Sequence, residues 1–317
     1  MTLHDSIMLP DGLDPGVRPV LEYIARVHRP LREAGHIAGR QALEAAAIFD
    51  RPMPPSVHAV DDAIALADRN IPIRVYTPGG SPRGVILFFH GGGFVLGGLQ
   101  THHALCGRLA HEASATLIAV DYRLAPENPF PAAVDDALAA LEWLTPQINR
   151  IGGEAAGCAI VGDSAGGNLA AVATQHAAAS GNERVRLQVL IYPVTDFTIT
   201  PDVAPSLLSN ADGLFLTLDD MRWFNDMYRP ERESPLASPA RATSLQGLPR
   251  TLVITAEFDP LRDDGERYAS LLQRAGVDVT LRRYGGQIHG FMSMSALVSA
   301  ADDALKEVAG AIQHAVR

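Results

Sequence analysis

Cysteine is nearly absent: the 317 residues hold two, Cys106 and Cys158. Two thiols form neither a metal-binding set nor a disulfide framework, so a reducing compartment, and with it a cytoplasmic location, is expected. Cys158 opens an apolar run and reads as a small core residue. Basic charge is in deficit, with 26 Lys and Arg against 36 Asp and Glu and a net charge of −10. That balance weighs against nucleic acid or an anionic membrane surface as a partner. No stretch of about 18 apolar residues is present to span a membrane. Residues Met1–Pro10 lack the basic and continuously apolar regions of a secretory leader. Internal repeats, low-complexity tracts and runs of like charge are missing as well. What remains is a chain long enough for a substantial core, and one α/β domain with insertions fits it best.

Two helical patterns come first. Asp14-Pro15 has the chemistry of a helix start, followed by Val17, Val20, Leu21, Ile24 and Val27 at helical spacing until Pro30. A second stretch covers roughly Leu31 to Ile48, and the prolines after Arg51 break it. From Ser56 onward the texture is strand-like. Val57–Val60, Ile71–Tyr76, Val85–Phe89, Thr116–Val120, Cys158–Val161, Leu187–Ile191, Leu252–Thr255 and Val277–Leu281 all read as strands. Several of these runs are apolar throughout, as strands buried on both faces are. Helical stretches alternate with them, which predicts a mostly parallel sheet covered on both faces. Between Thr195 and about Pro230 the alternation stops, yet Leu207, Leu208, Leu214, Phe215, Leu216, Trp223, Phe224, Met227 and Tyr228 keep the segment apolar. Such an insertion fits a lid over a site, or else a crossover helix with a long loop.

The chemistry concentrates at strand ends, where sheets of this class bind ligands. The Cys158–Val161 strand runs into Gly162-Asp163-Ser164-Ala165-Gly166 and then an alanine-rich helix. Glycines two residues either side of a serine permit a sharp strand-to-helix turn that holds a nucleophile above the sheet. Serine as a simple helix cap is the competing reading of that turn. Directly after Val85–Phe89 stands His90-Gly91-Gly92-Gly93-Phe94, bare backbone suited to aim N–H groups at an oxyanion, with the N–H of Ala165 as a further donor. A dinucleotide loop in this place needs a third glycine at 96, where Leu96 stands, and no lysine follows the glycines around Ser164 to make a phosphate loop. A serine nucleophile needs an imidazole base and a carboxylate to orient it. His289 lies after the last strand and Asp259 after the one before it. Glu257, Asp263 and Asp264 compete for the acid role; Asp259 is favoured because Pro260 suits a helix start. His90 fits the shaping of the glycine loop better than the role of base. His102-His103 are adjacent on a helix and do not share a face, so no metal site is read there. Asp121 and Arg123 are expected to pair beneath the site.

With these residues in view, the chain resembles the hormone-sensitive-lipase-like family of α/β-hydrolases. The resemblance rests on His90-Gly91-Gly92-Gly93-Phe94, Tyr122-Arg123-Leu124-Ala125-Pro126-Glu127, Gly162-Asp163-Ser164-Ala165-Gly166-Gly167-Asn168, Asp259-Pro260-Leu261-Arg262-Asp263 and His289-Gly290-Phe291. These span about residues 85 to 291 in the family's order, and Asp163 matches the branch that carries Asp before the nucleophile. The resemblance implies an α/β-hydrolase fold, with a helical cap made from residues 1–55 and the 195–230 insertion over a catalytic domain at 56–317. It implies hydrolysis of short-to-medium acyl esters by Ser164, His289 and Asp259, with the oxyanion held by Gly92, Gly93 and Ala165. No metal or cofactor is expected, the partner is a small-molecule ester, and a homodimer is a family-level expectation. A receptor on the same scaffold lacks the histidine in that family, and the elimination enzymes carry threonine at the nucleophile. An amidase or deacetylase shares the whole apparatus and stays open.

Overall fold

The computed structural model describes residues 9–27, 29–153, 156–212 and 214–316, so the reading of the first residues falls largely on positions 1–8, outside the described residues. Eight strands form one sheet: β1 (His58–Ala65), β2 (Asn70–Thr77), β3 (Val85–Phe89), β4 (Thr116–Val120), β5 (Cys158–Asp163), β6 (Val185–Ile191), β7 (Arg250–Phe258) and β8 (Val279–Ile288). Their spatial order is β1-β2-β4-β3-β5-β6-β7-β8. Only β2 runs against its neighbours β1 and β4; every pairing from β4 to β8 is parallel. This is the mostly parallel sheet expected, in an α/β-hydrolase fold.

The alternation of side chains across a pleated strand explains the layering. On β3, Val85, Leu87 and Phe89 join the core beneath the helices Ala132–Leu144, Ala165–Ala179 and Arg262–Arg274. Ile86 and Phe88 point the other way, into the core under the helices His103–Ala113 and Ser299–Val316. All five side chains are at most 1% exposed. Fully burying each such side chain contributes about 1.5–3 kcal/mol, an upper estimate because unfolded chains already bury some surface. No helix among the described residues is long and apolar enough to cross a membrane.

The strand ends are what position the site. Phe89 pairs with Gly162, Gly162 with Leu190, and Phe258 with Ile288. His90, Ser164, Asp259 and His289 are each the next residue after a strand, so four separated sequence positions emerge along one edge. The edge strand β8 departs from its expected bounds. It starts two residues later than Val277 and continues through Gly285 and Gly286 to Ile288, so His289 follows the strand directly without a preceding loop. Its exposed arginines and paired glycines hide the strand pattern.

The first helix runs from Val17 to Val27. Asp14 lies outside it and Oδ1 accepts the Gly16 N–H at 2.7 Å. Asp14 also ties this segment to the sheet: its N–H donates to the Gly286 carbonyl (2.9 Å), and Oδ2 accepts from Gln287 Nε2 (2.9 Å). The second helix, Leu31–Ala45, is kinked at Gly35 (φ 78°) and ends in a tight turn at Ala46–Phe49.

The expected Asp121–Arg123 pair is not what the structure shows. Arg123 donates from Nε, Nη2 and its backbone N–H to Asp136, each at 2.9 Å, and Arg69 Nε adds a fourth bond at 2.9 Å. Asp121 instead takes a backbone hydrogen bond from Leu99. Asp136 is fully buried on the helix Ala132–Leu144, one turn from its start, where sequence distance conceals its reach. Removing it strips partners from two cations and one backbone N–H, although both guanidinium groups can turn toward water. We expect Asp136→Ala to lower the unfolding free energy by about 2–4 kcal/mol in urea titrations; a loss below about 0.5 kcal/mol would mean the pair contributes no more than a surface one.

Candidate active site

Ser164 sits between β5 and the helix Ala165–Ala179 with φ 53° and ψ −117°. That backbone conformation is costly for a side-chain-bearing residue, on the order of 1–3 kcal/mol. Two close approaches impose it. A Cβ on Gly162 would stand 2.1 Å from the Gly166 carbonyl oxygen, and one on Gly166 would stand 2.0 Å from that of Phe89. Only glycine permits strand, turn and helix to pass so near. The Ser164 N–H donates to the Ile191 carbonyl at 2.8 Å. Its hydroxyl makes no cap bond to the helix, so the helix-cap reading of this serine fails.

The hydroxyl lies 2.9 Å from Nε2 of His289 instead, and Nδ1 of the same ring lies 2.7 Å from Asp259 Oδ2. Asp259 is fully buried, and its other oxygen accepts the Leu261 N–H at 2.8 Å. The helix that follows begins at Arg262, not at Pro260. Its three sequence competitors are committed elsewhere. Glu257 Oε2 accepts the Gly286 N–H (2.8 Å) and so braces the strand leading to His289. Asp263 accepts the Ser206 N–H (2.7 Å). Asp264 accepts from the Thr195 and Asp196 backbone N–H groups at 2.7 and 3.3 Å. The Tyr192 ring, which sequence reasoning passed over, packs on the imidazole of His289 with centroids 4.6 Å apart.

The glycine loop is held by its own turn and by buried side chains. Gly92 (φ 120°) and Gly93 (φ 62°) adopt left-handed backbone, and the Gly92 carbonyl accepts from Val95 and Leu96 N–H at 3.1 and 2.8 Å. Ala165 opens its helix, where the first N–H groups have no partner within the helix. Burial lowers the His90 imidazole to about 4. Nδ1 therefore serves as a neutral donor to the Gly91 carbonyl (2.7 Å), while the ring stacks on Tyr122 at 4.3 Å. This is a shaping role. His102 and His103 diverge as expected: His102 Nε2 faces Asp163, and His103 Nδ1 lies 3.1 Å from the Tyr76 hydroxyl. Burial raises the Cys158 thiol to about 12, in keeping with a core residue.

A cavity of about 440 Å³ opens over Ser164 and His289. The 195–230 segment lines it with Leu207, Phe215, Leu216 and Phe224, and the first two helices line it with Val20, Ile24 and Leu43. Leu214, read from sequence together with Phe215, is absent from that lining and packs into the core under the C-terminal helix. Phe224 also caps the glycine loop, since a Cβ on Gly93 would meet its ring at 2.4 Å.

Comparison with known proteins places the fold. A family model described as the alpha/beta hydrolase fold matches residues 86–293. The chain is 40% identical to an esterase of Mycobacterium tuberculosis, LipI, over 80% of this chain and 81% of the relative. It is 37% identical to an ethyl acetate hydrolase of Pseudomonas putida over 90% and 96%. The solved structure of a thermostable Pseudomonas putida esterase superposes with a TM-score of 0.91 at 35% identity, covering 98% and 99% of the two chains.

Asp264 makes this region sensitive to pH. Burial raises its carboxyl from an ordinary 3.8 to about 7, Asp196 adds to the rise, and the donors from Thr195 oppose it. The folded chain thus binds this proton more tightly than the unfolded chain does. The resulting stability is complete below about pH 4 and is lost as pH climbs to 7. Asp264→Asn, which mimics the neutral acid, is expected to gain melting temperature relative to the parent between pH 5 and pH 8. A difference that stays constant across that range would mean the carboxyl is ionised throughout.

Proposed function

The chain belongs to the hormone-sensitive-lipase-like family of α/β-hydrolase carboxylesterases and is a carboxylic ester hydrolase, and from that premise we propose that Ser164, His289 and Asp259 form its catalytic triad. One observation carries the assignment: the unbroken line from Asp259 Oδ2 to His289 Nδ1 (2.7 Å) and from Nε2 to Ser164 Oγ (2.9 Å). Ser164 Oγ attacks the ester carbonyl carbon while His289 Nε2 takes the hydroxyl proton. The carbonyl oxygen becomes an oxyanion held by the N–H groups of Gly92, Gly93 and Ala165. As the tetrahedral centre collapses, the alcohol leaves with the proton from His289, giving an acyl-Ser164 ester. Water, deprotonated by the same imidazole, then attacks that ester and releases the acid. Asp259 keeps the proton of the neutral ring on Nδ1, so that Nε2 faces the nucleophile as a base. No step calls on a metal or a cofactor.

The helices within residues 1–55 and the 195–230 insertion act in this reading as a cap on the catalytic domain at 56–317. The apolar walls they supply suit short-to-medium acyl chains. The two buried, unpaired thiols support a reading of cytoplasmic residence, and the family resemblance supports a reading of a homodimer.

A burst assay with a short-chain p-nitrophenyl ester tests the chemistry. The parent protein is expected to release p-nitrophenol and Ser164→Ala to release none. Retention of the ester without turnover by either protein would return the chain to the receptor reading. A hydrolysed anilide analogue at rates matching the ester would move it to the amidases. For the acyl pocket, Phe215→Asp should lower kcat/KM for a p-nitrophenyl hexanoate by roughly tenfold more than for the acetate, because several methylenes lose an apolar wall. An unchanged chain-length preference would remove Phe215 from that wall.

A further inference from the structure

Oxyanion stabilisation has a requirement that the triad does not supply: the glycine loop must stand at a fixed height above the nucleophile. Asp163 is placed to set that height. It is the last residue of β5 and immediately precedes Ser164, yet its side chain crosses to the other strand end and Oδ1 accepts the Gly91 N–H at 2.8 Å. The fit is close, since a Cβ on Gly91 would stand 2.4 Å from Asp163 Oδ2. One residue therefore joins the nucleophile's turn to the start of the oxyanion loop.

A carboxylate buried in this way needs more than one donor to keep its orientation. The second is His102, whose Nε2 lies 3.2 Å from Oδ1 and 3.3 Å from Oδ2. A carboxylate only accepts, so Nε2 carries a proton. The ring is itself fixed: Nδ1 lies 2.8 Å from the Thr101 hydroxyl, which bonds both the N–H and the carbonyl of Gly98. Phe88 and His90 pack on its sides with ring centroids at 6.0 and 5.6 Å. His102 is 7% exposed and borders the cavity.

We propose that His102 is a positioning residue for the oxyanion hole: by donating to Asp163 it fixes the carboxylate that seats Gly91, and through Gly91 the placement of the Gly92 and Gly93 N–H groups over Ser164. The assignment rests on the triad reading above. Ionisation of Asp163 fits it. Burial works to raise that carboxyl, but the charge and hydrogen bond of His102, with His90 and the Gly91 N–H, outweigh it and hold the group below its ordinary value.

Three substitutions test the role: His102→Leu, which has no donor; His102→Asn, which is too short to reach Asp163; and His102→Gln, whose side-chain N–H reaches it. Each is assayed for kcat and KM on p-nitrophenyl acetate. Each is also assayed for inhibition by a boronic acid, whose tetrahedral adduct with Ser164 occupies the oxyanion position. Leu and Asn are expected to lower kcat by about one to two powers of ten, less than the roughly 10²–10³ lost when an oxyanion donor is removed outright. KM should stay within about threefold, and boronic acid affinity should fall in step with kcat/KM. Gln should recover most of both. Should the Leu variant fail to fold by circular dichroism, the polar Asn variant carries the comparison. Parent-like kcat in folded Leu and Asn variants overturns the proposal, as does a loss confined to KM, or a folded Gln variant as slow as Asn. The parent and Ser164→Ala run alongside: silence of the parent on the ester counts against the triad, whereas an active parent with unaffected His102 variants counts against His102 alone.

Discussion

The left-handed turn at Ser164 is the constraint on which the rest of the molecule depends. An unfavourable backbone conformation persists only where its surroundings leave no alternative. Here the alternative is closed by a chain of backbone contacts: Gly162 against Gly166, Gly166 against Phe89, and the Ser164 N–H on the Ile191 carbonyl. Those contacts need β3, β5 and β6 side by side and parallel, with their ends in register. The apolar side chains that bury the sheet on both faces thus act at a distance on one hydroxyl. Core stability and the geometry of Ser164 are in this sense the same property.

Much of this is legible in the sequence. Strands β3 and β4 begin and end where sequence places them, because Val85–Phe89 and Thr116–Val120 are buried on both faces and carry a continuous apolar signal. Ser164, Asp259 and His289 were legible through motif and order, and the structure brings their side chains into one hydrogen-bonded line. The errors have physical causes. β8 lies at the sheet's edge, where Arg282 and Arg283 sit comfortably in solvent and two glycines imitate a loop. Leu214 and Phe215 are neighbours of equal hydrophobicity, yet one faces the core and the other the cavity, a difference that an irregular segment does not encode in any period. Sequence proximity pairs Arg123 with Asp121, whereas its partner Asp136 arrives on the next helix.

The acid side of the site shows how one short sequence divides into several tasks. Within Glu257 to Asp264, four carboxylates are spaced closely enough to be interchangeable on paper. Folding separates them by what each meets. Asp259 meets an imidazole and a backbone donor, Glu257 the strand that delivers that imidazole, and Asp263 and Asp264 the first part of the inserted segment, at Ser206 and Thr195. The insertion is therefore anchored to the same turn and helix start that carry Asp259. The cavity wall and Asp259 share a foundation.

The bond between Asp14 and Gln287 joins residues 273 positions apart. During synthesis the first of these leaves the ribosome early, and the second only when the sheet's last strand has been made. Loop-closure entropy delays contacts of this separation until the intervening chain has condensed. The segment that begins the first helix therefore waits, its apolar face uncovered, for the strand that ends at Ile288. The cavity wall given by the first helix and the placement of His289 thus depend on contacts of the longest sequence separation, and the interval before such contacts close is the one in which an incomplete chain is most exposed to aggregation.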